Sequence, residues 1–144
     1  MSAIRRGAWA AVLMLLVAGG CASSPQSEAG QTPDEAIAST VTQFIGGMAA
    51  SNGDQIASTL AASFHDDEYG GRDAFAETMR QFTNIRYFDG LSADTSGMTI
   101  TLTGDSATAA PAALSGPFGA LVASFSLARE EQAWRIAGVT FTDL

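Results

Sequence analysis

Two hydrophobic periods divide this chain, and the change between them restricts its fold more than any other feature. Up to Asn84 apolar residues recur at spacings of three and four, the period of a helix with one buried face; beyond it they recur at two, the period of a half-buried strand. A helical half followed by a strand half predicts an α+β domain, with helices packed on one face of an antiparallel sheet.

The helical half contains three segments. Thr32-Pro33-Asp34-Glu35 has the form of a capping box with proline at the first helical position, where its missing N–H costs nothing. Ile37, Val41, Phe44, Ile45 and Met48 then form one apolar face, and Asn52-Gly53 ends the helix. Asp54 is expected to cap a shorter second helix that buries Ile56, Leu60 and Phe64. After the polar run His65-Asp66-Asp67-Glu68-Tyr69 and the pair Gly70-Gly71, Asp73 is expected to cap a third helix carrying Phe75, Met79 and Phe82 on one side.

In the strand half Met98, Ile100 and Leu102 alternate with threonines, and Gly104-Asp105 is a hairpin turn leading to a strand from Ser106 to Leu114. Gly116-Pro117 breaks the chain before the alternation of Leu121, Ala123, Phe125 and Leu127. A turn at Glu130-Glu131-Gln132 precedes Trp134, Ile136, Val139 and Phe141. The parity slips between Ile136 and Val139, which predicts a bulge at Gly138 and therefore a bent sheet.

One cysteine, Cys21, stands among the 144 residues, so no internal disulfide can form. It follows a basic start with Arg5 and Arg6 and an apolar run from Ala8 to Val17, which has the layout of a secretory signal and is too short to span a bilayer. Ala18-Gly19-Gly20-Cys21 resembles the lipobox of bacterial lipoproteins, with Ala18 standing where leucine is commonest. The resemblance implies that residues 1–20 are a removed signal peptide, that Cys21 is lipidated and that lipid on it is the membrane partner, since more than one acyl chain makes attachment stable. Ala22, in place of aspartate after the cysteine, favours the outer membrane facing the periplasm. Residues 21–31 read as a flexible tether of small polar side chains, and residues 32–144 as the folded domain.

After removal of residues 1–20, five arginines stand against fifteen acids with no lysine, a formal charge of −10. This balance argues against nucleic acid as a partner and against electrostatic docking on anionic lipid. No GxxxxGK, GxGxxG, HExxH, CxxC or GxSxG motif occurs, so no cofactor or metal is expected and nucleotide, zinc-hydrolase, thiol-redox and serine-hydrolase chemistry lack support.

Phe44 to Asp54, the Phe64-His65-Asp66-Asp67 step, Gly70-Gly71-Arg72-Asp73-Ala74-Phe75, and the ending Phe125 to Arg129 with Ala133 to Val139 resemble, in their order and spacing, the nuclear transport factor 2-like superfamily in its SnoaL-like and ketosteroid-isomerase-like branch. The resemblance covers Pro33 to Asp143. It implies a cone around an apolar pocket, here expected to be lined by Phe44, Met48, Phe64, Phe75, Met79, Phe125 and Trp134, and a homodimer through the sheet. The catalytic residues it implies are His65 with Asp66 or Asp67, and Tyr69 close by, in a cofactor-independent isomerase or lyase. Isomerases of that family add a first-helix tyrosine and a late-strand acid to stabilise an enolate oxygen. This first helix has no tyrosine, and Ser106 to Ala128 contains no ionisable side chain. The expected function is therefore binding of a small apolar ligand, or protein interaction, without catalysis.

Overall fold

The computed structural model describes residues 31–144, so the segment expected to be a signal peptide, Cys21 and nearly all of the expected tether lie outside the described residues. Three helices come first: α1 (Pro33–Ala49), α2 (Gly53–Ser58) and α3 (Arg72–Asn84). Two-residue strands β1 (His65–Asp66) and β2 (Gly70–Gly71) pair with each other between α2 and α3. The remaining strands are β3 (Ser92–Asp94), β4 (Thr99–Thr103), β5 (Ser106–Gly116), β6 (Gly119–Glu130) and β7 (Ala133–Asp143). They form one antiparallel sheet in the order β3-β5-β6-β7, with β4 sharing the outer edge of β5.

The helix face read from the sequence is the buried face of α1: Ile37, Val41, Phe44, Ile45 and Met48 all lie in the core. Thr32 caps the helix by accepting the Glu35 N–H at 3.2 Å. The Thr40 hydroxyl donates to the Trp134 carbonyl at 2.9 Å and so ties α1 to β7.

Two cap assignments are corrected. The side chain of Asn52, not Asp54, caps α2 by accepting the Gln55 N–H at 3.1 Å; Asp54 lies inside the first turn and accepts from Arg80 Nε at 3.1 Å. At α3 the cap position is Gly71, which has no side chain to offer, and Asp73 pairs with Arg72. In both cases the carboxylate still stands in the first turn, where the helix dipole favours it. The second helix is also shorter than its pattern suggested. Leu60 and Phe64 are buried beyond its end, where Ile136 N–H donates to the Thr59 carbonyl and Ala61 N–H donates to the Ile136 carbonyl, both at 2.8 Å, pairing the connector with the edge of β7.

Along β5 and β6, Ala107, Ala109, Ala112, Leu114, Ala123, Phe125 and Leu127 turn toward the helices, while Thr108, Ser124 and Ser126 turn away. The hairpin turn at Gly104-Asp105 forms as read, with Gly104 at φ +61° in the first central position. The bulge near Gly138 is present: Ser126 pairs with Gly138 but Leu127 with Ile136, leaving Ala137 extra. A second bulge, at Ala110-Pro111 opposite Ser124, bends β5 between its β4 and β3 partners.

Candidate functional site

Aromatic side chains from elements distant in sequence meet at one end of the core. Phe125 on β6 meets Phe44 on α1 edge-on at 5.5 Å, and Phe44 leads to Phe75 on α3 at 6.4 Å. Tyr69, the last residue of the β1–β2 turn, contacts both Phe75 and Phe82 edge-on, at 6.2 and 6.5 Å. From Phe82 the chain of rings continues to Tyr87 and Phe88 in the connector after α3, and Tyr87 stacks on Phe118 in the β5–β6 turn at 5.9 Å and 17°. Edge-to-face and offset-stacked pairs of this kind add to what area burial alone contributes.

All of these rings except Phe44 wall an open cleft of ≈ 760 Å³. Met48, Phe75, Met79 and Phe125 form its floor; Leu121, Val139 and Phe141 form the sheet side; Tyr69, Phe82, Tyr87, Phe88 and Phe118 form the aromatic wall. Thr108, Ser124, Ser126 and Thr140 also border the space. Neighbouring strand residues point to opposite faces, so these hydroxyls cannot share a chamber with Phe125, Val139 and Phe141. The cleft therefore has an apolar inner chamber and a polar outer shelf, on opposite faces of the sheet.

The polar run 65–69 sits where the two parts meet. The His65 carbonyl lies against Gly138, on the edge of β7. His65 Nε2 is 3.6 Å from Asp67 Oδ1, but their side chains are 68% and 107% exposed, so both are turned to water. Asp66 has a different role: its Oδ1 accepts the N–H groups of Glu68 and Tyr69 at 2.9 and 2.8 Å, closing the turn. Partial burial, and after it the neighbouring Glu68 carboxylate, raise the Tyr69 phenol above the ordinary tyrosine range, so the hydroxyl remains protonated through neutral pH.

Of the residues expected to line a pocket, Met48, Phe75, Met79 and Phe125 reach the cleft, whereas Phe44, Phe64 and Trp134 are packed in the core away from it. Tyr87, Phe88 and Phe118 line the cleft although the sequence reading named none of them. The available signal was the cluster of aromatics at 82, 87 and 88 followed by one at the hairpin tip, a pattern without periodicity. Among the described residues no group of three His, Cys, Asp or Glu side chains gathers as a metal site.

No family model matches the sequence, and no curated protein matches it either. Solved structures do. An NTF2-like protein of unknown function from Shewanella baltica aligns over 79% of this chain and 99% of its own, with TM-score 0.58 and 13% identity. A candidate dehydratase of the NTF2-like family from Streptomyces avermitilis aligns over 78% and 99%, with TM-score 0.62 and 17% identity. The fold is that of the NTF2-like proteins. An uncharacterised protein from Caulobacter vibrioides, described as having a cystatin-like fold, aligns over 77% and 89% with TM-score 0.62 and 15% identity. At such identities the likeness carries the architecture, and the chemistry of this domain has to be argued from its own side chains.

Proposed function

We propose that this chain is a lipid-anchored protein of the bacterial cell envelope whose NTF2-like domain binds a small apolar ligand and does not transform it. The order of basic start, apolar run and small residues before Cys21 supports the anchor and, with Ala22, an outer-membrane position facing the periplasm. The observation that carries the binding reading is the inner chamber, an aromatic and aliphatic surface open to entry, of the kind small-molecule sites present.

The rival is an isomerase or lyase using His65 with Asp66 or Asp67. A general base must reach the proton that it removes. His65 and Asp67 border the cleft with their side chains turned to solvent, and Asp66 holds backbone N–H groups, so the pair this mechanism needs is not aimed into the chamber. Native mass spectrometry of the full chain purified from its own envelope tests the reading. A retained small molecule that survives His65→Ala and is lost in Tyr87→Ala/Phe118→Ala is expected; a bare polypeptide in every sample contradicts it. For the sheet's outer face, where Thr101, Thr108, Ser124, Ser126 and Thr140 present an uncharged surface, the proposed partner is a second copy of the chain, which sedimentation equilibrium would reveal as a dimer.

A further inference from the structure

The apolar chamber does not distinguish ligands by charge, but its entrance does. Asp66, Asp67 and Glu68 border the cleft together with the single histidine, His65, which faces Asp67 at 3.6 Å, and no arginine does. The described arginines are held elsewhere: Arg72 with Asp73, Arg80 with Asp54 and Glu77, Arg86 with Asp89, and Arg135 on the Ser58 carbonyl. Arg129 also lies outside the cleft. A ligand entering with an anionic group would meet three carboxylates against one histidine and no arginine, so the rim favours a neutral or positively charged head group.

The aromatic wall strengthens the case for a cation. The faces and edges of Tyr69, Phe82, Tyr87 and Phe118 form a continuous surface next to those carboxylates. Ring faces attract ammonium groups, and this attraction grows as water is removed. We propose, building on the binding reading above, that the cleft selects a cationic amphiphile, a molecule with an apolar or aromatic body that fills the chamber and an amine or quaternary ammonium head held between the ring wall and Asp67 and Glu68. Asp66 contributes charge but is already committed to the turn, so Asp67 and Glu68 are the residues that a head group can recruit.

The test uses three probes with one body: 4-phenylbutylamine, 4-phenylbutanol and 4-phenylbutyrate, titrated calorimetrically into the full chain at low and high salt. The amine is expected to bind about tenfold more tightly than the alcohol, a ratio equivalent to roughly 1.4 kcal/mol. The butyrate should bind more weakly than either, and the advantage of the amine should shrink with salt because the carboxylates are exposed. In Asp67→Asn/Glu68→Gln, two surface changes that leave the Asp66 turn intact, the amine should fall to the affinity of the alcohol while the alcohol is unchanged. Equal binding of amine and alcohol to the unaltered chain overturns the charge selection and leaves the apolar site standing. Tighter binding of the butyrate also overturns it. Failure of all three probes overturns the binding reading and this inference together.

Discussion

Glu131 and Gln132 both hold left-handed backbone, at φ 48° and 70°, in the tight turn between β6 and β7. L side chains adopt that region at a cost, and two-residue hairpins of this geometry ordinarily use Asn-Gly. Gln132→Gly is therefore expected to stabilise the domain by about 0.5–1 kcal/mol, read as a higher urea midpoint at unchanged slope. A lower midpoint would show that the side chain of Gln132 contributes something that the strained backbone conceals. Tyr69 gives a second test at this scale. Its raised value means that the fold favours the neutral phenol, so its contribution to stability is complete below the ordinary tyrosine value near 10 and is lost as pH rises through the higher folded value. In a Tyr87→Phe background, phenolate absorbance should titrate above free tyrosine. Glu68→Gln should bring the titration part of the way back, with burial, the larger cause, keeping the remainder.

At the scale of elements, α1 and α2 meet where α1 has two successive glycines with opposite surroundings. A Cβ on Gly47 would stand 2.8 Å from Ile56 Cγ1 and 3.0 Å from the Ile56 backbone nitrogen, whereas one on Gly46 would meet only the end of the Gln55 side chain at 3.2 Å. Gly46→Ala should gain roughly 0.5–1 kcal/mol of helix propensity. Gly47→Ala should lose about 1–2 kcal/mol on balance, because overpacking outweighs the same gain. Equal effects in thermal unfolding would contradict the close approach of the two helices. The same junction shows what the sequence could convey. The buried stripe of α1, the β4–β5 turn and the Gly138 bulge were legible because each leaves a local mark: a period of 3.6, a glycine turn, a break in parity. The α2 cap was not, since Asn52 and Asp54 are both competent and only tertiary packing, through Arg80, decides between them. Leu102 continues the apolar alternation of β4 yet is 40% exposed, because an edge strand has no neighbour to cover it. The aromatic wall was illegible for a related reason. Tyr87, Phe88 and Phe118 lie in connectors, and only the folded sheet brings them to Phe82 and Tyr69.

For the whole molecule, the proposed mature form without residues 1–20 has a formal charge of −10 and would be repelled by anionic headgroups, so the proposed membrane attachment rests on lipid at Cys21. Cys21→Ser is expected to release the chain from the membrane fraction, and the unaltered protein should show an intact mass lacking residues 1–20 and carrying acyl groups. An unchanged membrane association in the serine variant would contradict the anchor. Placement of the domain and occupancy of its cleft are separate claims, and the cleft is central. The most direct measurement is a crystal structure of the protein grown with 4-phenylbutanol, the neutral probe. The account predicts its phenyl ring inside the inner chamber, between the floor at Phe75 and Phe125 and the wall at Tyr87 and Phe118. A ring found only on the threonine and serine shelf outside β7, or in no defined place, would contradict it.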